Sequence, residues 1–249
     1  MTTTTAAARQ RPRLDPDTRG GLRLTLAAAG VLILVVPFAS LLLLVVDHWG
    51  PLQRLDHDIA AQLNTFAFPH PGYVTFLKVI TTVGHPAVFE AVSVAVTVWL
   101  LTRRQPRLAV WLAVTVFGGG LLSTIVKNAV GRMRPLLPHP VAHALSASFP
   151  SGHAIGSVVG VGVLLLVFLP SARRSARPAW LAIGVLVVLA IGFSRLGLGL
   201  HYLSDVLGGY ILGAGWLAVS TAAFTAWRRD LAQPGRPLTD GLEQAAPEV

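Results

Sequence analysis

Six stretches of this chain are almost unbroken apolar sequence, separated by polar segments carrying proline or arginine. The first, Leu24 to Val46, exceeds the roughly 7–15 apolar residues of a cleaved leader and matches the ~20 that a spanning helix needs, so it is expected to persist as an anchor that tolerates Pro37. Residues 47–72 alternate charge with Leu55, Ile59, Leu63 and Phe66, a spacing that predicts a short interfacial helix with one apolar stripe. The next apolar stretch starts near Tyr73, is interrupted by Lys78 and by Gly84, His85 and Pro86, and runs clean from about Ala87 to Leu101. Leu108 to Val126, Ala154 to Leu169, Ala179 to Phe193 and Val206 to Trp227 complete the set, with a polar loop from Lys127 to Pro150 between the third and fourth. The pattern predicts an all-α polytopic membrane protein with six transmembrane helices and a short interfacial helix between the first two spans. Residues 22–229 form this membrane domain; residues 1–21, polar and basic without periodic apolar positions, are expected to be a disordered tail, and residues 230–249 a second polar tail.

Composition agrees with that reading and narrows the chemistry. Of 249 residues, 53% are hydrophobic and 12% charged, against roughly 25% charged in an ordinary soluble domain. Cysteine is absent, which excludes disulfides, thiolate metal sites and a cysteine nucleophile. The net charge of +9 does not mark a nucleic-acid binder, because the arginines sit in short groups between apolar runs. Six spans put the arginines of both tails and of the turns at 103–107 and 173–177 on one side, which the positive-inside rule makes cytoplasmic, in a cell membrane. Both termini are then cytoplasmic. The opposite side holds Arg54, Lys78, Lys127, Arg132, Arg134 and Arg195, and the last four crowd beside helix ends, where topology gives them no reason to be. The pairs Gly156 with Gly160 and Gly209 with Gly213 have the spacing of close helix packing.

Three clusters on that outer side carry the candidate chemistry. In KNAVGRMRP, Lys127 and Arg134 are seven apart, close to two helical turns, so a helix running to Pro135 would put both cations on one face, suited to an anion. In FPSGH, residues 149–153, Ser151 is placed to cap the fourth span, Gly152 lets backbone amides approach a ligand, and the open N–H groups of a helix start favour negative charge. His153 stands at the rim. In SRLGLGLHYLSD, Arg195 adds a planar cationic fork, and His201 and Asp205 are four apart, so a helix from Leu200 would let the carboxylate hold one imidazole nitrogen and leave the other free. A histidine so held is a good nucleophile.

Together K-x6-R-P at Lys127 to Pro135, P-S-G-H at Pro150 to His153 and S-R-x5-H-x3-D at Ser194 to Asp205 resemble the three motifs of the type 2 phosphatidic acid phosphatases, the lipid phosphate phosphatases, with every fixed position matched. That family shares its core with vanadium-dependent haloperoxidases. The resemblance implies a membrane hydrolase that acts on a lipid phosphomonoester or diphosphate, of the phosphatidic acid, phosphatidylglycerol phosphate or polyprenyl diphosphate class, at the extracytoplasmic face. It implies that His201 attacks phosphorus to give a phosphohistidine, Asp205 orients it, and His153 protonates the leaving oxygen and then activates water. Lys127, Arg134, Arg195, Ser151 and Gly152 hold the phosphate oxygens, with no metal and no other cofactor. The residues themselves do not fix which histidine attacks; the carboxylate four residues on favours His201.

The expected partners are the lipid substrate and surrounding membrane lipids, not nucleic acid. A transporter or scramblase using the same outward cations is the alternative from another class, although transporters gather ionisable groups near mid-membrane. A soluble vanadate enzyme does not fit so apolar a chain. Glu90 lies within a span, where an acid is a functional candidate by default. His139 and His143 are expected to be solvated, Arg132 to be a surface or headgroup contact, and His85 has no partner in sequence.

Overall fold

The computed structural model describes residues 34–230, with side chains through residue 227, and among them there is no strand. Eight helices follow in order: α1 (Leu34–Val46), α2 (Gly50–Ala67), α3 (Pro71–Val83), α4 (Pro86–Thr102), α5 (Pro106–Val130), α6 (Gly152–Phe168), α7 (Arg177–Gly197) and α8 (Leu203–Asp230). Five helical stretches are long and apolar enough to cross a membrane, and six if the bent pair α1 and α2 is one span. The predicted membrane helices are therefore present. Residues 24–33 of the expected first span lie outside the described residues.

The second span is longer than the sequence suggested. Gly84, His85 and Pro86 do not end it: Pro86 occupies the first turn of α4, where a missing N–H costs nothing, and His85 caps that turn by accepting from the Ala87 amide at 3.2 Å. Pro71–Thr102 then reads as one 32-residue span, about 48 Å at 1.5 Å per residue against an apolar slab of ~30 Å. Thr81 near the end of α3 and His85 before α4 line the pocket described below.

Helix α6 is the hub, packed against α4, α5, α7 and α8. Its small residues permit this. A Cβ on Gly160 would lie 2.4 Å from the Phe89 ring, and one on Gly209 of α8 would lie 2.8 Å from the Ser151 carbonyl. Leu112, Val116, Ile155, Val159 and Val163 form the core between α5, α6 and α8. On α5 the opposite stripe, Val110, Val114, Phe117, Leu121 and Ile125, is about half exposed, as a face toward lipid requires.

Helix α2 meets α1 at 86°, the attitude of a helix lying along the membrane surface. Its inward face is not the apolar stripe expected. Asp56, Ala60, Asn64 and Ala67 are buried, whereas Leu55 and Phe66 are about half exposed and only Leu63 packs toward the core. Arg54, His57, Asp58 and Gln62 of the same helix are exposed, so the two polar residues that turn inward, Asp56 and Asn64, are the ones that find hydrogen-bond partners in the protein. Asn64 donates to the His139 carbonyl at 2.7 Å and so ties α2 to the long loop.

Two left-handed glycines shape the site. Gly131 (φ 62) caps α5, donating its N–H to the Lys127 carbonyl, so the helix stops before Arg132. Lys127 and Arg134 therefore do not share a helical face. Gly199 (φ 66) closes the turn after α7, and a Cβ there would lie 2.3 Å from Leu137. This turn delays the last helix to Leu203, so His201 precedes α8 instead of lying on it.

Candidate active site

The chain ends that meet here are shaped locally. Ser151 caps α6 and accepts from the Ala154 amide, and it is completely buried. It does not line the cavity above it. At the start of α8, Asp205 reaches back so that its Oδ2 accepts the Tyr202 N–H at 2.9 Å, the carboxylate half of a capping box. That bond fixes the carboxylate beside the preceding residue, and His201 Nδ1 stands 3.3 Å from the same oxygen.

A cavity of about 460 Å³ opens over these elements. Lys127, Arg134, Arg195, Gly152, His153 and His201 all line it, so residues from three separated motifs share one pocket. Arg134 Nη1 donates to the Leu200 carbonyl and stands 3.2 Å from His201 Nε2; its Nε and Nη2 donate to the carbonyl and hydroxyl of Ser146. Arg195 Nη1 donates to Thr81 Oγ1 at 2.6 Å, while its buried Nε has no partner among the described residues. A Cβ on Gly152 would lie in ordinary contact with Lys127 Nζ, at 3.8 Å, so the ammonium stands beside the start of α6.

Electrostatics suit an anion and a neutral imidazole. Burial, reinforced by Arg134 and Arg195, pulls His201 from 6.5 to about 4, and the bond and charge of Asp205 only partly oppose this. Burial likewise lowers Arg134, with Asp205 opposing. Across the pocket the His153 ring meets the His85 ring edge to face at 5.1 Å, so the histidine without a sequence partner faces the second imidazole of the pocket.

Arg132 is not a surface contact. Released by the Gly131 cap, it runs inward, where Nη1 donates to Asp205 Oδ1 at 2.6 Å and Nη2 to Asp56 Oδ2 at 2.8 Å. Its guanidinium lies 4.4 Å over the Tyr202 ring. Asp56 also accepts from the Ser204 amide and hydroxyl, at 3.0 and 2.5 Å. Thr81, Asp56 and Ser204 were missed by sequence reasoning. The signal for Asp56 was a polar residue on the small-residue face 56, 60, 64, 67; Thr81 carried none. Of the remaining candidates, His143 lines the cavity mouth, and His139 stacks on Phe68 at 4.1 Å.

A second, more apolar groove of about 410 Å³ runs between α4, α5 and α6 and shares Pro86, Lys127, Ser146 and Gly152 with the first. Glu90 lines it, with Oε1 3.6 Å from where a Cβ on Gly120 would be. The two spaces are contiguous, one polar at helix ends and one apolar along helix flanks.

Comparison with known proteins agrees with this arrangement. Phosphatidylglycerophosphatase B of Bacillus subtilis (strain 168) is 38% identical over 106 residues, 41% of this chain and 51% of that protein. Undecaprenyl-diphosphatase BcrC of the same organism is 29% identical over 131 residues, covering 51% of this chain and 63% of that one. The chain spans about half the length of the first of these relatives and somewhat more of the second. A crystal structure of the first transmembrane PAP2 type phosphatidylglycerolphosphate phosphatase from Bacillus subtilis superposes with a TM-score of 0.68 at 23% identity, covering 83% of this chain and 99% of that one; it shares the fold. The family model of the PAP2 superfamily matches residues 108–229, the segment that carries all three motifs, so it is the PAP2 superfamily that this segment resembles.

Proposed function

We propose that this protein is a membrane phosphatase that hydrolyses the phosphomonoester or diphosphate of a lipid through a phosphohistidine on His201. The observation that carries this reading is the convergence of Lys127, Arg134 and Arg195 on one cavity into which His201, backed by Asp205, presents its Nε2. The three cations and the Gly152 amide hold the phosphate oxygens and neutralise the charge that builds in the transition state. Nε2 attacks phosphorus, the bond to the lipid oxygen breaks, and His153 delivers a proton to that oxygen. His153 then takes a proton from water, which attacks phosphorus and frees His201 with inorganic phosphate. Ser151 contributes by fixing the start of α6.

The contiguous groove supports a lipid as the substrate: an amphiphile sliding in the bilayer presents its headgroup at the helix ends while its chain lies between α4 and α5. Arginine placement supports a site on the extracytoplasmic side of the cell membrane. The relatives act on phosphatidylglycerophosphate and undecaprenyl diphosphate by name, and both chemistries fit this pocket.

The test is phosphate release by purified protein from phosphatidic acid, phosphatidylglycerol phosphate and a polyprenyl diphosphate, with His201→Ala and His153→Ala beside it. Release by the wild type, no phosphoenzyme with His201→Ala, and a phosphoenzyme that forms but turns over slowly with His153→Ala are expected. Labelled phosphate trapped on His201→Ala overturns the assignment.

A further inference from the structure

Two buried carboxylates share one guanidinium in this molecule. Asp56 and Asp205 are both fully buried, and Arg132, with a side chain 13% exposed, bonds to each. Buried charges are tolerated when paired and fully hydrogen-bonded, and this cluster meets that condition. Asp205 accepts from Arg132, Tyr202 N–H and His201; Asp56 accepts from Arg132 and twice from Ser204; Ser204 Oγ also accepts from Arg132 at 2.7 Å.

The charge count gives the arrangement a consequence. Arg132 and Asp205 alone sum to zero, and a neutralised Asp205 has little field left for an imidazole that becomes cationic as it attacks. With Asp56 the cluster carries a net negative charge behind His201. The remaining charged or titratable groups lining the cavity with His201 are Arg134 from the segment after α5, Lys127 from α5, Arg195 from α7, His153 from α6, His85 before α4 and His143 from the long loop. None of these is negative. We propose that Asp56, on the interfacial helix α2, is a positioning residue of the catalytic centre: by engaging Arg132 it leaves Asp205 the negative charge that stabilises the positive charge developing on His201, and by capping α8 it fixes where Asp205 stands.

This inference rests on the phosphatase reading for its kinetic consequence, so the experiment includes a readout that needs no turnover. Asp56→Asn keeps the shape and one acceptor oxygen for the Ser204 amide, and it puts an NH2 donor where an oxygen met Arg132, so it removes the charge and the Arg132 contact together. In the full chain in detergent micelles, Asp56→Asn is expected to lower kcat on phosphatidic acid about ten-fold, the effect of one unit of histidine basicity, with little change in KM. The Asp56→Asn/Arg132→Gln double variant removes both extra charges and is expected to recover part of that loss, whereas a merely structural pair loses further. In parallel, the pH at which His201 becomes half-reactive toward diethylpyrocarbonate, read by peptide mass, is expected to fall in Asp56→Asn and return toward wild type in the double variant. Unchanged His201 reactivity in Asp56→Asn overturns the proposal whether or not the protein turns over lipid. Wild-type reactivity without phosphate release from any lipid overturns the phosphatase reading instead, and the reactivity shift still decides the role of Asp56.

Discussion

Arg134 Nη1 stands 3.2 Å from His201 Nε2. A guanidinium has hydrogens to give and no lone pair to receive, so the contact makes Nε2 the acceptor and puts the ring proton on Nδ1, facing Asp205. The tautomer that the proposed attack requires is thus held in the resting site by the Arg134 guanidinium. Arg134→Lys loses the fork that spans Leu200, Ser146 and the imidazole, and a drop in kcat of about 10²–10³-fold is expected, the cost of one strong transition-state donor. Single-turnover phosphoenzyme formation measures it; a change confined to KM refutes the argument.

The pH dependence follows from burial. With its pKa near 4 instead of 6.5, His201 is neutral, as the proposed attack requires, throughout the range in which an exposed imidazole titrates. The acid limb of kcat/KM contributed by His201 therefore lies near pH 4. Any inflection close to pH 6 belongs to the second ionisation of the substrate phosphate, whose pKa is about 6. An aryl phosphate monoester, whose electron-withdrawing leaving group lowers the second phosphate pKa, should move that inflection down; if it stays near 6, an enzyme imidazole is titrating there and the burial argument fails.

In the proposed reaction Lys127, Arg134 and Arg195 would fill the electrostatic role that a divalent ion plays in many phosphatases, and three cations lining one cavity repel such an ion. Chelator treatment is expected to leave phosphate release unchanged, and millimolar magnesium to give no stimulation at saturating substrate. A loss of activity on chelation that added metal restores contradicts this.

Much of this architecture was legible in the sequence because a bilayer simplifies the code: long apolar runs are helices, and their ends are where polar chemistry gathers. The motif residues were legible for the same reason, since Lys127, Arg134 and Arg195 lack a topological explanation. Local geometry was not. A seven-residue spacing reads as two helical turns unless the left-handed cap at Gly131 is foreseen, and that cap is what sends Arg132 inward. The buried face of α2 was misread because an apolar stripe says nothing of the partners that Ser204, Arg132 and the His139 carbonyl, distant in sequence, offer to Asp56 and Asn64. Contacts such as Arg195 with Thr81, 114 residues apart, leave no trace in a single chain.

Gly192 tests how tightly the site is supported. A Cβ there would lie 1.8 Å from the Tyr210 hydroxyl, which donates to the Val188 carbonyl at 2.9 Å. Gly192→Ala must push α8 from α7 or break that bond, three residues before Arg195. Destabilisation of about 1–3 kcal/mol is expected, as for overpacking elsewhere, with partial rescue by Tyr210→Leu. Thermal unfolding in detergent reads both variants, and an unchanged midpoint in Gly192→Ala refutes the packing account.

The groove between α4, α5 and α6 makes the strongest demand on the lipid reading, because it separates recognition of the chain from chemistry on the phosphate. Gly120 is the place to ask. Unlike Gly119, where a Cβ would meet Val159 and Trp216, a Cβ on Gly120 finds only Glu90 Oε1 at 3.6 Å, so a larger side chain projects into the groove without disturbing the core. Gly120→Leu leaves Lys127, two turns further on, and the phosphate pocket intact. If the chain of the substrate lies in the groove, this variant raises KM for long-chain lipid phosphates about ten-fold or more, the penalty of a few buried methylenes displaced at ~0.8 kcal/mol each, while a short soluble phosphate ester is hydrolysed as by the wild type. Equal loss on both substrates indicates a damaged fold, which a melting curve identifies. Equal retention on both means that the lipid reaches the phosphate pocket by another route, and the groove then has no part in substrate entry.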